Sequence, residues 1–299
     1  MSKVTKKSLL YALAALGFIA FAMWLRYASR NIFHHPGWNY LRTVIYIFLF
    51  STWGVSIHFR MVQVQVRRYL LAISVLMVLW ILLRSVKYSI DDLDAARWLW
   101  YSYYVPILFI PTLSVFISLS LGTAEDFLLP LWTRLLYVPA VLLLVLVLTN
   151  DLHMRVFLFP SGVMSDLDYR YACGYYFVMG WDILCAAVSI ITMLRKCRIP
   201  HSRRFRWLPL VPLLLSVTYA AAYVRGVQWV WALAGDMTVT QCLIFAAFLN
   251  AAFSAACYSP IWGMTRCLKR QACRYRSQTM SFARSMYPPQ CGSRCRKEN

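Results

Sequence analysis

Three residues with polar chemistry stand together where an apolar run ends. After LLYVPAVLLLVLVL come Asn150, Asp151 and His153, in the string TNDLH. Two further carboxylates lie inside apolar stretches: Asp182, seven residues past Tyr175, and Asp236, seven past Trp229. A carboxylate at such a depth in lipid costs at least a few kcal/mol, at roughly the level of insertion scales, unless it faces a wet cavity or a partner. Tyr175, Tyr176 and Trp181 sit beside Asp182 and offer ring faces to a cation. Asn150, Asp151, His153, Tyr175, Tyr176, Trp181, Asp182 and Asp236 therefore form a candidate pocket for a small polar or cationic ligand. A second reading stays open, in which His153 and Asp151 cap a helix end and the aspartates pair with Arg225, Arg155 or backbone donors.

The elements that must position these residues are membrane helices. Of 299 residues, 61% are hydrophobic and only 14% charged, which excludes a water-soluble domain. The fold class expected is all-α, a polytopic transmembrane helix bundle of seven or eight spans. Because a bilayer satisfies no backbone amide, each crossing needs about 20 apolar residues in helical form. Eight candidates run from Leu9 to Leu25, Leu41 to Ile57, Tyr69 to Leu83, Trp98 to Leu121, Leu135 to Leu148, Tyr175 to Leu194, Trp207 to Val224 and Trp229 to Leu249. The first follows Lys3, Lys6 and Lys7 as a signal peptide would, yet no small-residue cleavage site follows it and it reads as a helix that stays.

Loop charges set the orientation. Arg195, Lys196, Arg198, Arg203, Arg204 and Arg206 crowd one short loop, which places that loop in the cytoplasm. Alternation then puts both termini inside and the loop from Asn150 to Ala172 outside. The net charge of +20 belongs to such flanking and tail residues, so nucleic acid is not an expected partner. Nine cysteines show no paired ligand spacing; neither a metal site nor a disulfide framework is expected, nor any other cofactor.

Prolines 106, 111, 139, 209 and 212 fall inside apolar spans, as packing kinks or as hinges. Trp100, Tyr103, Tyr104 and Ile107 recur at helical intervals, a pattern more common in cores and interfaces than in ligand sites.

The runs YYVPILFIPTLSVFISLSLG, LPLWTRLLYVPAVLLLVLVLTNDLH, GYYFVMGWDILCA, LRKCRIPHSRRFRWLPLVPL and AGDMTV, spread over Tyr88 to Leu249, together resemble the histidine kinase N-terminal 7TM region. The resemblance implies a membrane sensory module of a bacterial sensor kinase; the partners expected are the lipid bilayer of the cytoplasmic membrane, a small polar ligand on the outer face and a second copy of the chain. It implies a phosphotransfer kinase downstream. In this sequence His34, His35 and His153 are expected outside and His58 and His201 in short inner loops, so no phosphoacceptor helix is expected and no catalytic activity. Residues 1–30 are read as a first helix additional to the family core, and 31–249 as the multi-span sensory domain. Residues 250–299, with nine basic residues against one acidic and five of the cysteines, are read as a disordered tail. Back-translated one base earlier, that tail can be read without a stop as a string similar to the linker after the last span in the resembling proteins. It is therefore expected to be out of frame. A transporter is the rival class, against which stands the lack of an internal repeat between Leu9 to Leu121 and Leu135 to Leu249.

Overall fold

The computed structural model describes residues 3–29, 37–60, 63–121, 129–164, 168–196, 210–228, 230 and 237–257. Asp236, His34, His35, His201, Trp229 and the tail beyond residue 257 lie outside the described residues. The helices are α1 (Lys3–Ala28), α2 (Gly37–Arg60), α3 (Val64–Lys87), α4 (Leu93–Ser102), α5 (Tyr104–Ser120), α6 (Tyr137–Leu148), α7 (Asn150–His153), α8 (Cys173–Lys196), α9 (Leu210–Val224) and α10 (Met237–Cys257). Between α7 and α8 a small hairpin pairs β1 (Phe157–Leu158) antiparallel with β2 (Arg170–Tyr171). The architecture is an all-α membrane bundle.

Among the described residues, five stretches are long and apolar enough to cross a membrane: Tyr40–Phe59, Val64–Lys87, Leu93–Ser120, Leu131–Leu148 and Cys173–Met193. They coincide with the second to sixth expected spans. The first, seventh and eighth correspond to α1, α9 and α10, and α10 continues past Leu249. Large apolar side chains such as Leu16 in α1, Leu142 in α6 and Ile183 in α8 are exposed, as they must be where the solvent is lipid.

Pro106 explains why the fourth span is two helices. It has no amide hydrogen, so the Ser102 carbonyl four residues back gains no α-helical partner. The chain tightens at Tyr103, whose amide bonds the Trp100 carbonyl at 3.1 Å, and restarts with the Ile107 amide on the Tyr103 carbonyl at 3.2 Å. Pro139 likewise marks the change from a 3-10 turn (Leu131–Leu136) to α6, and Pro212 lies in the first turn of α9. Pro111 stands well inside α5.

α5 is the central helix, packed against α3, α6 and α8. Its buried hydroxyls of Thr112, Ser114 and Ser118 donate to its own carbonyls at Leu108, Ile110 and Val115, which lets polar residues sit in an apolar bundle. On its α3 side it meets a stripe of Leu70, Ile73, Met77 and Ile81, spaced three and four apart. α2 then closes on α3 through a small residue. A Cβ at Gly54 would lie 2.4 Å from Ser74 Oγ, and that hydroxyl donates to the Phe50 carbonyl at 2.9 Å. At its C-terminal end α5 has carbonyls with no helical donor. Gln63 Nε2 donates to the Ser120 carbonyl at 3.0 Å and the Lys196 ammonium to that of Leu119, so α3 and α8 both hold this end.

Candidate functional site

The chain leaves α6 through Asn150. Its carbonyl accepts the Met154 amide at 2.7 Å while Met154 turns into the left-handed region at φ 51°. The Asn150 side chain is fully buried and uses both lone pairs and both amide hydrogens. Oδ1 accepts the amides of Val156 (2.9 Å) and Phe157 (3.0 Å); Nδ2 donates to the Phe157 carbonyl (3.1 Å) and the Tyr101 hydroxyl (3.2 Å). One side chain thus shapes the start of the loop and ties it to α4.

Asp151 completes the tie. Tyr101 donates its hydroxyl to Oδ1 at 2.7 Å, and Arg97 Nε donates to Oδ2 at 3.1 Å. Arg97, 9% exposed, also reaches Asp94 at 2.8 Å and the Met164 carbonyl at 3.0 Å. Asp151 thus pairs with Arg97 and Tyr101 of α4. Arg155 instead gives its backbone amide to His153 Nδ1 at 3.0 Å, and His153 Nε2 lies 3.3 Å from the Thr149 hydroxyl. Thr149, Asn150, Asp151 and His153 act as a latch at the end of α6.

Above the latch the loop folds into a lid whose plug is Phe157, fully buried among rings. The centroids of Trp100, Tyr104, Tyr169 and Tyr175 lie 4.4, 5.8, 5.6 and 6.2 Å from its own. The hairpin sets Phe157 opposite Tyr171, and Tyr171 stacks on Tyr175 at 3.9 Å. Gly174 is needed beneath: its amide bonds the Arg155 carbonyl at 2.8 Å, and a Cβ there would stand 2.9 Å from that same oxygen. Trp100 and Tyr104 of the aromatic pattern face this cluster, whereas Tyr103 sits at the helix break with the Lys87 ammonium 6.0 Å from its ring.

Asp182 lies roughly 10 Å further along α8 than Tyr175, at 1.5 Å per residue. It shares the helix face of Val178, Cys185 and Ser189, all buried against the bundle. Its Oδ1 is covered and has no hydrogen-bond partner among the described residues. The neighbouring Trp181 donates its indole N–H to Thr112 Oγ1 across the α5–α8 contact at 3.3 Å. Tyr176 is 65% exposed on the outside of the bundle. Of the expected set, the latch gathers Asn150, Asp151 and His153, the lid takes Tyr175, and the α5–α8 contact holds Trp181 and Asp182. Asp236 lies outside the described residues.

Arg97, Tyr101, Phe157 and Gly174 carry this geometry without having stood out in the sequence. An arginine at the head of an aromatic span and an acidic residue at the tail of another are a pairing signal, because neither charge is stable alone there.

The family model for the N-terminal 7TM region of histidine kinase matches residues 41–258. The chain belongs to that family. The 7TM region is the membrane sensory module of these kinases, which makes this a multi-pass membrane protein with the bilayer as its surroundings. In this 7TM region the match begins within α2, so α1 precedes it, and it ends one residue after α10. No curated protein and no solved structure matches the chain.

Proposed function

We propose that this 7TM region receives a small polar or cationic ligand at the lid and passes the event down the α5–α8 contact to a cytoplasmic output. The single observation behind this reading is the covered Oδ1 of Asp182, unpartnered among the described residues, roughly two helical turns along α8 from the aromatic lid. A buried carboxylate without a donor is costly, and a cationic ligand removes that cost. Tyr175 and Trp181 would wall the ligand, and Asn150, Asp151 and His153 would hold the rim. Tyr176 would join only after a turn of α8, and Asp236 would add a second carboxylate.

The lid end is taken as the outer face of a bacterial cytoplasmic membrane, with both termini inside. Exposed Arg68, Arg134, Arg195 and Lys196 at the opposite end support it, because the cytoplasmic side collects such cations. At the lid end Arg42, Lys87 and Arg97 are buried, and Arg155 and Arg170 of the loop are exposed.

Reconstitution in proteoliposomes tests the reading. A panel of radiolabelled small amines should include one that binds saturably without crossing, and Asp182→Asn should abolish that binding. Flux of the bound amine into the vesicle would make the protein a transporter.

A further inference from the structure

At the end of the bundle away from the lid, α3, α5 and the 3-10 turn before α6 enclose a cavity of about 400 Å³. Its inner wall is aromatic. The Tyr69 and Phe116 rings stack at 5.5 Å, and Phe116 meets Tyr137 at 4.9 Å. The turn that forms its outer edge shows Leu131, Trp132 and Leu135 to the surroundings, at 72%, 69% and 66% exposure. Such an apolar edge with a tryptophan belongs against acyl chains near the headgroup layer, so the cavity borders lipid.

Among the described residues, two polar groups of the lining lack partners. Gln65 Nε2 donates to the Tyr69 hydroxyl at 3.3 Å and its covered Oε1 has no partner; exchanging the two amide atoms would leave the nitrogen unpaired instead. Arg134, exposed at the rim, makes no ion pair among the described residues. Arg68 follows Gln65 by three positions on α3 and adds a second exposed cation on that side of the helix. Thr133, by contrast, is satisfied by the Pro130 carbonyl at 2.7 Å.

We propose that this cavity is a binding site for one anionic phospholipid. Its headgroup phosphate lies on Arg134 and Arg68, a headgroup hydroxyl or phosphate oxygen answers the Gln65 amide, and an acyl chain covers Phe116 and Leu131. Basic pockets between membrane helices suit anionic headgroups because charge and an apolar wall are offered together. A zwitterionic lipid carries its own cation and gains less. The site is separate from Asp182 and stands or falls without it.

The test uses the full chain in mixed micelles of phosphatidylcholine, titrated with phosphatidylglycerol or with inorganic phosphate, and reads thermal unfolding together with lipid retained through purification. Phosphatidylglycerol should protect saturably and be retained. Arg134→Gln should weaken that effect by about fivefold, the share one arginine contributes at an anionic surface. Arg134→Lys should keep most of it, and Arg195→Gln, which removes an exposed cation away from the cavity, should change it little. Equal protection by phosphatidylcholine, or an equal loss in Arg195→Gln, would overturn the site. Protection by inorganic phosphate alone would overturn the lipid assignment by making a free anion the ligand. An Arg134→Gln protein that does not fold is replaced by Leu129→Trp, which fills the cavity and should abolish retention; undiminished retention there also overturns the proposal.

Discussion

The latch at the end of α6 and the α5–α8 contact treat polar atoms in opposite ways. At the latch every polar atom of Asn150 and both oxygens of Asp151 are matched by donors or acceptors from α4 and the loop. Roughly two helical turns away from the lid, Asp182 Oδ1 is matched by nothing among the described residues. A polar side chain in a membrane bundle is architecture when its partners are built in, and available for binding when they are not. The residue type alone does not tell the two apart.

That contrast can be broken most sharply at Asn150. Asn150→Ala strands two amides and a carbonyl in a buried turn and should cost about 3–5 kcal/mol, read by thermal or denaturant unfolding in detergent. Loss of under about 1 kcal/mol would show that the latch is not what orders the lid. Next comes Asp151→Ala, which leaves a mostly buried Arg97 with only the exposed Asp94 as its carboxylate. We expect about 2 kcal/mol, less than for a fully buried pair because both side chains keep some exposure. Adding Arg97→Met should restore part of it, and a double variant no better than the single one would mean that the pair itself matters little. Gly174→Ala should cost about 1–2 kcal/mol by pressing a methyl group on the Arg155 carbonyl. Asp182→Asn is the smallest in stability, within about 1 kcal/mol or slightly favourable, because it removes an uncompensated carboxylate. It should nevertheless be the variant that loses ligand binding; a large destabilisation would place Asp182 with the latch instead.

The spans were legible because bilayer thickness dictates their length, and Leu41 to Ile57 or Tyr175 to Leu194 needed only counting. The break at Tyr103 was less so, although Pro106 predicts it once the missing amide is traced to the Ser102 carbonyl. The latch could not be read in the same manner. Asp151 and Arg97 are 54 positions apart, and nothing local chooses Arg97 over the nearer Arg155. Phe157 sits in the run VFLF, where every residue is apolar, and the Asn150 hydrogen bonds to the Val156 and Phe157 amides set which of them turn inward. Asp182 stands out in the sequence by its depth along α8. Its unpartnered state follows from what faces it across α5, which the sequence of one helix does not contain.

The restraints on α5 have a mechanical consequence. Through α4 its upper end is anchored by Tyr101 and Arg97, and its lower end is clamped by Gln63 and Lys196. Between these anchors stands Pro111, where the backbone lacks a hydrogen bond, one residue from the Thr112 that holds Trp181. A beam fixed at both ends and notched at mid-length can neither slide nor rotate as a whole; it yields by bowing at the notch. Spin labels on the two halves of α5 should then report an angle change when the lid is disturbed, with their separations from the clamped ends unchanged.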